Sequence, residues 1–283
     1  MMAHIQVTYM SQALWRSVPV QVILPADKAT REGKLLPERK FKTLYLLHGL
    51  HGSSMDWITR TRIIRWAEAQ DLAVVMPSGD NSFYVDRPAS QNHYCEFIGK
   101  ELVEVTRRMF PLSDKREDTF IGGLSMGGFG AILAGLTYPE TFGYIVGLSS
   151  AMHIFEQPKD VPAKDWAFGE ATFGPGTMAE IAASSKNPRV VLTALAERAK
   201  KDKSVLLPKV YMAIGESDFL RESNIVYKKL FEENGYDLTY VEAPGDHNWD
   251  FWDEFIYKAM QWLPLGMAVE AMGSGAIATN RKI

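Results

Sequence analysis

Cysteine is almost missing from this chain, whose 283 residues contain only Cys95. An internal disulfide is therefore excluded, and the usage suits a reducing compartment. No apolar run approaches the roughly 18 residues of a membrane span. The N-terminus, Met1 to Gln6, lacks a basic stretch followed by an apolar one. No signal peptide is expected, and the expected location is cytoplasmic. Neither sign of charge dominates. A net charge of -3 gives no reason to expect nucleic acid or an anionic membrane as partner. Ligand spacing such as H-E-x-x-H is absent, so neither a metal nor another cofactor is expected. No internal repeat or domain-type linker interrupts the chain. Its 46% hydrophobic and 23% charged residues are ordinary globular usage, sufficient for one large core.

Against that background one stretch stands out, Gly123-Leu124-Ser125-Met126-Gly127. It is a G-x-S-x-G between a short β-branched, aromatic segment and a small, apolar segment at helical spacing that stops before Pro139. That context suits a nucleophile elbow, in which a serine on a strained strand-to-helix turn stands clear of the backbone. The bland alternative is a glycine-rich turn before a packed helix.

The flanking chain carries the argument further. Phe41 to Leu47 reads as a buried strand running into His48-Gly49-Leu50-His51-Gly52. Pro208 to Ile214 is another apolar run, followed by Gly215-Glu216-Ser217-Asp218. Leu238 to Glu242 is followed by Ala243-Pro244-Gly245-Asp246-His247. A serine, then an acid, then a histidine, each just past a strand, is the order of an α/β-hydrolase. A serine hydroxyl is a poor nucleophile at neutral pH and needs a base, and the base needs an acid to hold its tautomer. Ser125, His247 and Asp218 take those roles. The amides of Met126 and Leu50 are the expected oxyanion donors.

Rivals exist for each role. His4 lies in the N-terminal strand, His48 and His51 in the oxyanion loop, His93 at a helix start and His153 in an irregular segment. Each is more readily structural or substrate-lining than catalytic. Glu216 and Asp246 neighbour Asp218 and His247, but Asp246 is adjacent to the histidine and poorly placed to bond its ring side-on. Cys95 falls within a helical pattern and reads as a packed thiol.

The rest of the pattern is strands alternating with helices, which implies a mostly parallel central sheet with helices on both faces. Ile5–Tyr9 and Val18–Leu24 alternate as half-buried antiparallel strands. Helical patterns cover about Trp57–Ala69 and Tyr94–Phe110, the latter with Phe97, Leu102, Val105 and Met109 on one face. Residues 1–265 are expected to form a single α/β-hydrolase domain, with 266–283 as a C-terminal tail. The segment from about Ala151 to Asn187 breaks the rhythm, and an insertion at that edge of the sheet is expected to form a small cap. Its aromatics, Phe155, Trp166, Phe168 and Phe173, either face a substrate or pack the insertion down. Trp57 and Trp166 are read as substrate contacts.

Three motifs together carry a family resemblance: His48–Gly52, Gly123–Ala131 and Gly245–Trp249. They resemble the esterase D group of α/β-hydrolases, which holds S-formylglutathione hydrolases, tributyrin-type, feruloyl and acetyl-xylan esterases and mycolyltransferases. Met76–Tyr84 and the Tyr94–Leu112 helix most resemble the tributyrin-type branch. The resemblance spans about residues 5–262 and implies the same triad and oxyanion residues, while the tail does not match. The leading expectation is a serine carboxylesterase acting on short-chain acyl or cinnamoyl-type small-molecule esters. An S-formylglutathione hydrolase-type thioesterase is the second reading, and a non-catalytic binding protein on a hydrolase scaffold the third. The resemblance also implies a homo-oligomer as a possible assembly.

Overall fold

The computed structural model describes residues 2–29, 34, 37–155 and 169–266. An N-terminal hairpin, β1 (Ala3–Ser11) and β2 (Arg16–Leu24), is followed by β3 (Thr43–Leu47), α1 (Asp56–Arg60), α2 (Ile63–Gln70) and β4 (Ala73–Pro77). A two-stranded ribbon, β5 (Asp86–Arg87) with β6 (Asn92–His93), leads into α3 (Tyr94–Glu96) and α4 (Leu102–Met109). Then come β7 (Thr119–Leu124), α5 (Met126–Thr137), β8 (Tyr144–Leu148), α6 (Gly169–Phe173) and α7 (Met178–Ala182). The chain closes with α8 (Pro188–Lys201), β9 (Lys209–Gly215), α9 (Arg221–Glu233), β10 (Leu238–Ala243) and α10 (Trp249–Trp262).

Eight strands form one sheet in the order β1-β2-β4-β3-β7-β8-β9-β10. β2 pairs antiparallel with β1 and β4, and every pairing from β4 to β10 is parallel. Successive side chains of a strand point to opposite faces, so each central strand feeds two cores. Tyr45, Leu47, Val75, Ile121, Met212 and Ile214 join the core under α4, α5, α8 and α9. Leu44, Leu46, Val74, Phe120, Tyr211 and Ala213 join the core under α2 and α10. Both faces of the sheet are covered, which is why β3, β4 and β7 read as continuous apolar runs.

Local detail departs from the sequence pattern in three places. The helical pattern from Trp57 is two helices, because Thr61 is extended (φ -135°, ψ 173°) and its hydroxyl accepts the Ile63 amide. The long helix from Tyr94 contains a π-helical turn, Phe97–Glu101, which inserts one extra residue. Its buried stripe becomes Phe97, Leu102 and Thr106, one position later than a regular spacing gives, and Met109 is 48% exposed. The ribbon β5–β6 had no signal in alternation, since each strand is only two residues long.

Within the irregular segment, Phe155 and Phe173 are buried and pack against each other at 5.2 Å, with Phe129 and Phe83 alongside. Those two aromatics therefore pin the segment to the core. Trp166 and Phe168 lie outside the described residues, as does the tail beyond Gly266.

Candidate active site

The loops that leave the carboxyl ends of β3, β4, β7 and β8 are unusually strained. Six of the nine described non-glycine residues with positive φ sit there: His51, Asp80, Phe83, Tyr84, Ser125 and Ser149. Such residues cost on the order of 1–3 kcal/mol each and gather where a site needs a fixed shape.

Ser125 has φ 52° and ψ -118° between β7 and α5. Its amide donates to Leu148 O at 2.9 Å, and its carbonyl accepts from the Phe129 and Ala151 amides at 3.0 Å each. The turn is closed on both sides by glycine. A Cβ on Gly123 would lie 2.4 Å from the Gly127 backbone, and one on Gly127 would lie 2.5 Å from the carbonyl oxygens of Leu47 and His48. Only hydrogen fits at either position, so the elbow can press against the end of β3.

The Ser125 hydroxyl donates to His247 Nε2 at 3.0 Å, and His247 Nδ1–H donates to Asp218 Oδ2 at 2.9 Å. Asp218 follows β9 and His247 follows β10, so neighbouring strand ends deliver both partners to the serine. Asp218 is almost wholly buried. Burial pushes its carboxyl up, yet hydrogen bonds from His247, the Leu220 amide and the Ser149 hydroxyl outweigh this and hold it below the ordinary value. Its rivals are elsewhere: Glu216 is exposed, and Asp246 accepts the His247 backbone amide at 2.7 Å.

Met126 is the first residue of α5, where the backbone amides lack intrahelical acceptors and the helix end is electropositive. The Leu50 turn comes close to the serine, since a Cβ on Gly49 would lie 3.5 Å from Ser125 Cβ. That turn is braced by its neighbours. His48 is buried, donates from Nδ1 to Gly49 O at 2.7 Å and accepts the Gly79 amide at Nε2 at 2.8 Å. Burial dominates its titration and pushes the imidazole below its ordinary value, so it is held neutral. Tyr84 donates to His48 O at 3.1 Å, and Asn81 Oδ1 accepts the His51 amide at 2.8 Å.

Trp57 is not on the surface of this cleft. It is fully buried, donates from its indole to Leu47 O at 3.0 Å and meets Trp249 edge-on at 5.4 Å. Trp57 lies on the buried side of α1, which leaves it no area for a substrate.

Three residues here were passed over in the sequence. Ser149 hydrogen-bonds Asp218 and accepts the Trp252 indole N–H at 3.1 Å. Trp252 also meets the His247 ring at 4.9 Å with the planes perpendicular. Phe219 lies 4.8 Å from the same imidazole. Ser149 had a usable signal, its place just past β8 at the edge that carries the serine.

The sequence matches the family described as Putative esterase over residues 11–263. An acetyl esterase of Caldicellulosiruptor saccharolyticus is 38% identical over 268 residues, 93% of this chain and 98% of that protein. Among solved structures, fluorophosphonate-binding serine hydrolase F of Staphylococcus aureus superposes with a TM-score of 0.78 at 29% identity, covering 93% of this chain and 98% of that one. The S-formylglutathione hydrolase of the same organism gives 0.74 at 28% identity, covering 93% and 99%. With the α/β-hydrolase sheet and a serine at its elbow, the chain belongs to the Putative esterase family of carboxylic ester hydrolases.

Proposed function

We propose that the protein is a serine carboxylesterase that hydrolyses short-chain acyl esters of small alcohols through an acyl-enzyme. The observation that carries this reading is the hydrogen-bonded Ser125–His247–Asp218 array, with links of 3.0 and 2.9 Å. Ser125 Oγ attacks the ester carbonyl carbon as His247 Nε2 takes the hydroxyl proton. The Leu50 and Met126 amides hold the developing oxyanion, each such donor contributing on the order of 3 kcal/mol to the transition state. His247 passes the proton to the alcohol oxygen, the C–O bond breaks and the alcohol departs. Water then repeats the sequence on the acyl-enzyme, releasing the acid and restoring Ser125. Asp218 stays ionised and stabilises the imidazolium.

The likeness to an acetyl esterase supports a small acyl group. The likeness to an S-formylglutathione hydrolase supports a thioesterase as second reading. A cytoplasmic location is supported by a lone, buried Cys95. One catalytic domain over residues 1–265, capped at 151–187, is supported by a sheet that takes strands from Ala3 to Ala243. Exposed Met10 and Trp15 at the β1–β2 turn are apolar surface that supports self-association, which sedimentation velocity checks.

The test is a panel of p-nitrophenyl acetate, butyrate and octanoate, methyl ferulate and S-formylglutathione. Acetate and butyrate are expected to lead, with Ser125 labelled by a fluorophosphonate. Ser125→Ala is expected to lose labelling and on the order of 10⁵–10⁶ in kcat. Near-normal activity in that variant would falsify the proposal.

A further inference from the structure

Phe219 is the most exposed large apolar side chain among the described residues, at 73%. Leaving a phenylalanine in water forfeits roughly 2 kcal/mol relative to burying it. Its neighbours give no packing reason for the choice, because Asp218 and Leu220 on either side are buried and Phe219 is not. The backbone that carries it is nonetheless fixed. The Leu220 amide donates to Asp218 Oδ1 at 2.9 Å, and the Arg221 amide donates to Asp218 O at 3.0 Å. A rigid backbone therefore holds out an aromatic ring with its centroid 4.8 Å from the His247 imidazole.

Its place beside the base determines which part of an ester it meets. This step rests on the triad reading above. His247 Nε2 must come within hydrogen-bond reach, about 3 Å, of the alcohol oxygen to protonate it as it leaves. The first carbons of the alcohol then lie against the imidazole and whatever flanks it. Two rings flank it. Trp252 is only 6% exposed and its indole N–H is held by Ser149, so it supports the imidazole from within. Phe219 is the flanking ring open to solvent.

We propose that Phe219 is the binding platform for the leaving alcohol, and that the enzyme favours esters whose alcohol carries a flat aromatic ring. A ring on the alcohol stacks offset or edge-on against Phe219, an interaction of about 0.5–1.5 kcal/mol beyond burial, or roughly 2–10-fold in rate. The acyl group sits on the oxyanion side and does not reach this ring. Once the alcohol has left, Phe219 has no further contact with the reaction.

Those two statements give a test with separate arms. Benzyl, 2-naphthylmethyl and ethyl acetate share one acyl group and have alcohols of similar intrinsic reactivity. Phe219→Ala is expected to lower kcat/KM for the benzyl and naphthylmethyl esters about 5–10-fold and for ethyl acetate less than twofold. Phe219→Tyr is expected to retain wild-type selectivity. The deacylation rate after the burst, read with one acetyl-enzyme made from different esters, is expected to be unchanged. An equal fall for all three esters would make Phe219 a support for His247, and no change would make it a bystander. A change in the acetyl-to-butyryl ratio at constant alcohol would move it to the acyl side. Any of these three results overturns the proposal. Failure of the wild-type protein to be labelled at Ser125 by a fluorophosphonate would instead overturn the triad reading beneath it.

Discussion

Among the described residues Asp218 is held by three donors, and one of them is the proposed base. His247, the Leu220 amide and Ser149 share the carboxylate, while Trp252 fixes the Ser149 hydroxyl by donating to it. A donor removed from a carboxylate leaves it more basic, and a more basic carboxylate stabilises the imidazolium more strongly. Ser149→Ala is therefore expected to move the acid limb of the kcat/KM profile to higher pH, while loss of the hydroxyl that orients the carboxylate lowers kcat about tenfold, by the scale of a charged hydrogen bond. KM is expected to stay within twofold, because Ser149 acts through the acid. A pH–rate profile of the two proteins checks this. Asp218→Asn removes the charge itself and misorients the tautomer, for an expected loss on the order of 10⁴ in kcat. The side chains of the proposed triad could be picked out in the sequence because Ser125, Asp218 and His247 each follow a strand. Trp252 was not, and Ser149 showed only its place just past β8, since the contact that joins the two spans the end of β8 and α10 and no local pattern encodes it.

At the scale of elements, the elbow is a contact between three segments: the end of β3, the turn at Ser125 and the first turn of α5. Gly127→Ala would place a Cβ within 2.5 Å of two carbonyl oxygens of β3 and its loop, neither of which can rotate away. The backbone must shift, and the expected cost exceeds 3 kcal/mol, at the upper end for a single substitution. Urea unfolding measures the loss, and an intact midpoint would mean the turn is looser than its geometry. The other helix at the site is set differently. Asn248 follows His247 and caps α10 by accepting the Phe251 amide at 3.1 Å, so His247 sits at the entry to a well-capped helix. The long helix from Tyr94 shows where sequence spacing fails. A π turn is a local hydrogen-bond choice made under tertiary packing, and apolar residues three or four apart fit a regular helix equally well.

For the whole molecule, acid sensitivity follows from two kinds of group. His48 is buried neutral, with its titration pushed down chiefly by burial. The unfolded chain, with a histidine value near 6.5, then binds a proton before the folded one does. Stability is therefore full above about pH 6.5 and declines as pH falls towards the depressed folded value. Protonation would also cost the bond from the Gly79 amide, so the turn from His48 to Gly52 loosens in the same window. Asp218 acts later. Its depressed carboxyl contributes stability above the unfolded value near 3.9, lost as pH falls through the lower folded value. The expected outcome is a two-stage acid decline in unfolding free energy, with the upper stage shallower in His48→Gln. Chemical denaturation from pH 8 to 3 checks it, and an unchanged slope in the variant would assign the upper stage elsewhere.

The amino-acid sequence by itself determined the class of the fold, the strand-to-helix elbow and the chain order of serine, acid and histidine. Those features are local: alternation of apolar runs, glycines at a tight turn and residues placed just past strand ends. Tertiary structure alone decided which of several nearby side chains meet. It buried Trp57 against Trp249, sent Phe155 and Phe173 into the core and left Phe219 in solvent beside His247. The reason is that an aromatic residue carries the same apolar area wherever it stands. Only the packing of neighbouring elements settles whether that area faces protein, water or substrate.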